Sequence, residues 1–441
     1  MKRWRIGFGV AALAVLVAGV VIAWPWLYFG PTLPRADQRA AWRAHALESS
    51  GLGVHQAESA WERYQLVLKL QAKAYEQVFG PLPVEANGRP AIRDAIDFDP
   101  PGGMTPGQQA EASRLFGTMK STGLFEALDA VAMDRAFVRP LPPAGLLLGL
   151  DLGDLTYDRA LFRALRFHAR EAARAGDAPE VERTLVRSLG LARVCAAEPI
   201  TISCMVGIAI ASATAEEAIE LAAGGALPPE SCNRIAKLFM EFESLSTADL
   251  IDGEAILMRD TLQETLGETP ITPINRSAQT AKLNEVVESA KKWSALPAWD
   301  RRDAPFDLDA SGSLRYKPAL ILLPAFDRLG WSREQWETTR RGTAIVLAVH
   351  AYTKVKGNPP AVLDALVPEY LPSVPVDPWT GKGFGYRVLE SPDEHGRRFL
   401  VYSAGWDGED NAGRPHPKDR TVSLQQPGSG TDFVINTPAA K

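Results

Sequence analysis

Residues 157–199 read YDRALFRALRFHAREAARAGDAPEVERTLVRSLGLARVCAAEP. Leu161, Leu165 and His168 recur at three-to-four spacing, as do Leu185, Leu189 and Ala192, the period of a helix with one apolar face. Gly176-Asp177 and Glu198-Pro199 interrupt the pattern, and the run from Gly224-Gly225 to Pro229 interrupts it again. Glycine and proline at such points end helices. A short helix with one apolar stripe must bury it against a neighbour. The stretch therefore predicts successive helical hairpins, as in an α-solenoid or an irregular bundle. No strict repeat period accompanies it, so no repeat family is assigned.

Outward from there the helical pattern continues. Residues 36–79 read as helix, with Leu66, Leu70 and Lys73 on one face and Trp61 and Tyr64 entering the same segment. Residues 80–107, rich in proline, glycine and aspartate, predict a long loop. Asp94, Asp97 and Asp99 lie there without metal-ligand spacing and read as a solvated acidic turn. Further helices are expected at 249–266, 278–294 and 332–356, with an irregular connection at 297–324. In the last helix Ile345, Val349 and Tyr352 form an apolar stripe, and Gly357-Asn358-Pro359-Pro360 stops it. The period then changes to two: Phe384, Tyr386 and Val388 alternate, as do Phe399, Val401 and Ser403, and then Phe433 and Ile435. Alternation of this kind, joined by polar loops, predicts a small antiparallel sheet packed on the preceding helix.

The N-terminus is of another kind. Ile6 to Ala23 carry no charge, Lys2, Arg3 and Arg5 precede them, and Trp24, Trp26 and Tyr28 follow. Such a run is long enough to cross a bilayer, and flanking aromatic rings favour the membrane interface. Val21-Ile22-Ala23 also fits a signal-peptide cleavage site. The length of the run and its aromatic belt favour a retained anchor, and either reading exports the rest of the chain. The short basic N-terminus places it on the cytoplasmic side, although Arg35, Arg39 and Arg43 follow the span.

Composition narrows the function. The 441 residues carry 48 Lys+Arg against 53 Asp+Glu, a net charge of −5, which argues against a protein-wide nucleic-acid footprint. Hydrophobic residues at 46% and charged ones at 23% are those of a folded globular chain. The three cysteines cannot all pair within the chain, and spacing does not decide whether Cys195 pairs with Cys204.

A group of motifs in the C-terminal quarter carries a family resemblance. They are His350-Ala351-Tyr352, Gly357-Asn358-Pro359-Pro360, 363–372 (LDALVPEYLP), Val376-Asp377-Pro378-Trp379-Thr380-Gly381-Lys382, Phe384-Gly385-Tyr386-Arg387 and Tyr402-Ser403-Ala404-Gly405-Trp406-Asp407-Gly408. In this order they resemble the globular domain of the type II secretion major pseudopilins, the G-type. The helical region before them resembles uncharacterised bacterial envelope proteins with such a tail. The resemblance implies a helix followed by a short sheet, with a calcium-binding loop near the end whose carboxylates fall on Asp407, Asp410 and Asp432. Calcium takes six to eight oxygen ligands from flexible loops, and Asp407, Glu409, Asp410 and Asn411 offer oxygens here. A solvated turn reads equally well from these residues. Ala412 stands where an EF-hand needs glycine, and Arg414 and Lys418 bring positive charge close. A prepilin would carry glutamate where Ala12 stands, and residues 31–330 separate the apolar segment from the tail. The tail therefore reads as a borrowed domain rather than a filament subunit.

The expected fold is mainly α. A membrane-anchor helix at 1–30 leads to a helical-hairpin or solenoid-like body at 31–330, and a small α+β pseudopilin-like module with an antiparallel sheet occupies 331–441. Catalytic signatures are sparse. His45, His55, His168, His350, His395 and His416 show no zinc spacing, and there is no Cys-x-x-Cys, nucleophile elbow or phosphate loop. Ser289 and Lys292 form a Ser-x-x-Lys match without its companion motifs. Glu216-Glu217 and Glu254 read as solvated helix faces, and Trp293, Trp299, Trp331 and Trp336 as packing residues. The expectation is a single-pass protein of the bacterial inner membrane, its bulk periplasmic, that binds envelope proteins and no nucleic acid, with calcium as its one cofactor candidate. An anchored exported hydrolase and an accessory component of a type II-like secretion system are the alternatives.

Overall fold

The Asp37 side chain accepts a hydrogen bond from the Ala40 amide and so opens α1 (Gln38–Ser50). This is the first of twelve α-helices among the described residues of the computed structural model. It is followed by α2 (Val54–Phe79), α3 (Pro106–Ser121), α4 (Leu124–Val131), α5 (Asp154–Arg174) and α6 (Ala178–Ala196). Then come α7 (Thr201–Ala223), α8 (Pro229–Glu241), α9 (Thr247–Thr265), α10 (Arg276–Ser294), α11 (Ala298–Asp303) and α12 (Phe326–Lys356). The structure describes residues 30–437 without 86–87, 93–94, 99, 101–102, 270–271, 273, 305–315, 317–325, 418–419 and 425–428. The anchor helix expected at 1–30 lies outside these residues but for Gly30, as do Asp94 and Asp99.

Several boundaries differ from the sequence reading. The single helix expected over 36–79 is two, because Gly51 takes φ of 65°, a left-handed conformation that ends α1. Within α2 the buried face runs through Tyr64, Val67, Leu68, Gln71 and Tyr75, and Leu66 is 46% exposed. The apolar stripe is thus rotated one position from the expected Leu66–Leu70 line. The helix expected at 332 starts at Phe326, and α11 occupies the start of the connection expected to be irregular. Residue 331, the expected first residue of the C-terminal module, lies inside α12.

The centre of the molecule is α7, which packs on α5, α6 and α12. It is apolar nearly all round, with mean hydropathy of 1.4 over its most apolar stretch. By length and composition it could cross a membrane, but 67% of that stretch is buried inside the protein, as in the core helix of a globular fold. Cys195, Cys204 and Cys232 are free thiols buried in this core. Close approach of α6 and α7 depends on Gly207. A Cβ there would lie 2.4 Å from the Ala196 nitrogen and 2.5 Å from the Ala192 oxygen. These are backbone atoms of a packed helix and cannot swing aside. Gly207→Ala should therefore cost at least about 1–3 kcal/mol, read as a lower urea midpoint with little change in slope. An unchanged midpoint would show that the helices do not meet here.

The sheet is three-stranded and antiparallel in the order β1-β2-β3, with β1 (Gly385–Val388), β2 (Phe399–Ser403) and β3 (Phe433–Val434). Gly385 pairs with Tyr402, and Tyr402 with Val434. The strands stand where alternation predicts them, and every residue of the central strand β2 is buried. α12 covers the sheet on one side and packs on α8 and α7 on the other. Its stretch from Ala344 to Val349 is wholly buried. One hydrophobic cluster runs from Tyr64 in α2 through α12 to Val401 and Phe433 in the sheet.

Candidate functional site: an arginine-lined cleft

Arg159, Arg163, Arg166, Arg170 and Arg174 follow one another along α5 at intervals of four, three, four and four residues. Three-to-four spacing puts them on one stripe, and the apolar Leu161, Ala164 and Leu165 occupy the buried face. The stripe lines a cleft of about 1130 Å³. Across it, α7 presents Ile202, Met205, Val206, Ala209 and Ile210. Phe98, Phe162 and Phe167 add aromatic surface. Ile202 is 51% exposed.

The charge in the cleft is held asymmetrically. Glu217 on α7 is buried and accepts from Arg166 Nε at 2.8 Å and from Arg170 Nε at 2.8 Å. Arg170 also reaches Glu220, and Arg174 pairs with Glu171 on its own helix. Arg159 and Arg163 are exposed and have no ion-pair partner among the described residues. Glu217, expected on a solvated face, is instead a buried strut that fixes two arginine side chains between α5 and α7.

Behind the first turn of α5 lies a second charged group, fully enclosed. Arg139 donates to both oxygens of Glu198, at 2.6 and 3.0 Å, and pairs with Asp154 at 2.8 Å. The Tyr64 hydroxyl donates to Asp158 at 2.7 Å and to Asp154 at 3.1 Å. Cys195 and Ser203 complete the network through Asp158 and Glu198. None of these residues is more than 4% exposed. Burial draws the Arg139 guanidinium down, but Glu198 and then Asp154 outweigh this and hold it above its ordinary value. Burial, seconded by the Asp154 charge, pushes the Asp158 carboxyl up to about 7. The Cys195 thiol is driven well above its usual range by burial and then by Asp158, so it is no nucleophile. A substrate cannot reach these acids without opening the fold. Their arrangement ties α2, α5, α6 and α7 together.

The residues expected to hold calcium all accept hydrogen bonds within the tail. Asp432 accepts from the Asn411 and Gly413 amides. Asp410 Oδ1 accepts from the Tyr402 hydroxyl and the Ala412 amide, and Asp407 Oδ1 from the Glu409 amide. Arg302 donates to the Asp407 carbonyl at 2.8 Å. Burial and the neighbouring Asp410 push the Asp432 carboxyl up against the pull of these amides. Asp410 and Asp432 thus share one loop, in which both accept backbone amides, while the buried Asp407 Oδ2 has no hydrogen-bond partner among the described residues. No group of three or more His, Cys, Asp or Glu side chains suited to a metal occurs among the described residues.

The remaining candidates are structural. Ser289 donates to the Glu285 carbonyl on an exposed helix face. Glu254 accepts from the Thr201 amide at 2.9 Å and caps α7. His168 stacks on Phe116 and bonds Glu180. Trp336 packs against Phe239 and Phe242, and Trp299 sits over Gly381. Trp293 and Trp331 flank the buried Arg301 guanidinium, at 5.2 and 5.6 Å from their ring centres, while Arg301 bonds Glu334. The spacing of the α5 arginines is visible in the sequence, but the apolar periodicity of the same helix accounts for them as an ordinary exposed face, so the cleft gives no sequence signal of its own. Arg139 had no local signal at all. No family model matches the chain, and no curated protein or solved structure is found to match it.

Proposed function

We propose that this chain is a single-pass protein of the bacterial inner membrane, its bulk outside the cytosol, which binds an anionic ligand in the arginine-lined cleft. The uncharged run from Ile6 to Ala23 with its basic start and aromatic end supports the anchor. The single observation that carries the binding reading is the arginine stripe of one helix along one cleft, of which Arg159 and Arg163 are exposed and have no ion-pair partner among the described residues. Arginine is a planar, always charged donor suited to carboxylates and phosphates. The hairpin body then serves as scaffold, and the pseudopilin-like tail from 331 onward offers a surface for envelope proteins. Calcium at Asp407, Asp410 and Asp432 would belong to that tail.

The test uses the full chain in phosphatidylcholine discs, titrated with the fluorescent anion anilinonaphthalene sulfonate against empty discs. Binding should weaken by roughly tenfold in the Arg159→Glu/Arg163→Glu variant and at high salt. Equal binding by the variant and the parent, at any salt, would sink the cleft as an anion site.

A further inference from the structure

We infer that the ligand of this cleft is a single-chain amphiphile, an acyl chain bearing a carboxylate or phosphate head. The inference rests on the reading of the cleft as an anion site and adds the chemistry of its other wall. One wall carries arginines along about 22 Å of α5, from Arg159 to Arg174. Arg166, Arg170 and Arg174 are paired with glutamates, so its charge open to a ligand lies at the Arg159–Arg163 end. Asp97 is the one acidic side chain among the described residues lining the cleft. The facing wall on α7 is apolar over two turns, from Ile202 through Met205 and Val206 to Ile210. Anions made only of charge would satisfy the first wall and leave the second in contact with nothing. An acidic helical peptide could in principle satisfy both, but an α-helix with its side chains is about 10–12 Å across. A cleft of about 1130 Å³ has the scale of a small-molecule site. An extended chain with a charged end matches both walls and that size.

Two features sharpen the fit. Arg159 and Arg163, at one end of the stripe, are exposed and have no ion-pair partner among the described residues, so they are the groups available to a head. Arg166 and Arg170 are already held by Glu217 and form the fixed side of the channel. Ile202 leaves about half of its surface in water, which a bound chain would cover.

The experiment measures equilibrium binding to the full chain in phosphatidylcholine discs, with empty discs subtracted. The probes are inorganic phosphate, octyl phosphate, decyl phosphate, decyl maltoside and an acidic amphipathic peptide. Decyl phosphate should bind tightest, and octyl phosphate about fifteenfold more weakly, since each buried methylene is worth about fourfold. Ile202→Asp should flatten this dependence on chain length, and Arg159→Glu/Arg163→Glu should weaken all the phosphates. Phosphate and its alkyl esters binding alike, in an arginine-dependent way, would overturn the acyl chain but keep the anion site. Decyl maltoside binding as well as decyl phosphate, with no effect of charge reversal, would overturn both. Peptide binding in preference to decyl phosphate would overturn the amphiphile alone.

Discussion

Arg139→Ala is expected to remove about 3–5 kcal/mol of stability, the cost of breaking a buried ion pair from one side. Among the described residues the guanidinium is the one cation within a group of three buried carboxylates, bonded to Glu198 and Asp154 and linked to Asp158 through Tyr64. Its removal leaves the buried Glu198 and Asp154 side chains without their cationic partner, in a medium that solvates polar groups poorly. It also frees the end of α6 and the start of α5, which this one side chain joins. Arg139 rests on the Trp61 ring at 5.2 Å as well, so packing is lost together with charge. Arg139→Lys keeps the charge but cannot serve both oxygens of Glu198 at once, and should fall between the parent and alanine. Urea unfolding followed by far-ultraviolet circular dichroism reads all three proteins. A loss below about 1 kcal/mol for Arg139→Ala would mean that the network does not form.

Asp158→Asn should stabilise the protein at neutral and alkaline pH and do little in acid. Asp158 holds its proton up to about 7 when folded, against an ordinary value of 3.8. The folded state therefore binds more protons than the unfolded state between these limits, and stability falls as pH rises through them. The favourable contribution is complete below about pH 4 and gone above about pH 7. Asparagine imitates the protonated acid at every pH, and its carbonyl can still accept from Tyr64. The expected gain near pH 8 is about 1–3 kcal/mol, below the full value of the shift because Asp154 shares the site. Asp377, pushed up by burial to about 6, adds a slope of the same sign, and His350, pushed down by burial to about 4, opposes it. The difference between variant and parent isolates Asp158. Urea midpoints at about pH 5 and about pH 8 decide the matter, and a gain of the same size at both would remove the proton from the account.

Local features of the fold were legible where one segment contains its own reason. Glycine and proline punctuation marked the ends of α5, α6, α7 and α12, and alternation of aromatic and aliphatic residues marked the three strands. The reading failed where packing outvoted periodicity. Leu66 looks like a core residue beside Leu70, but α2 meets its neighbours one position away, through Val67 and Gln71. α12 starts at Phe326, six residues before the expected position, because the proline-rich sequence before it reads as a longer connection than the fold uses.

From its order of residues alone, the chain's helical class, the place of its sheet and the uncharged run near its start could be derived, since each depends on spacing within a few turns. Tertiary structure alone decided which charges are shared. Tyr64, Arg139, the Asp154–Asp158 pair of α5 and Glu198 come from four separate stretches of the chain, and only folding removes the water that would otherwise screen them from one another. The cleft is a mixed case: helical spacing aligns its arginines, but the apolar wall that gives them a use belongs to another helix. A contact between distant segments leaves no periodic trace in either one, so geometry had to supply it.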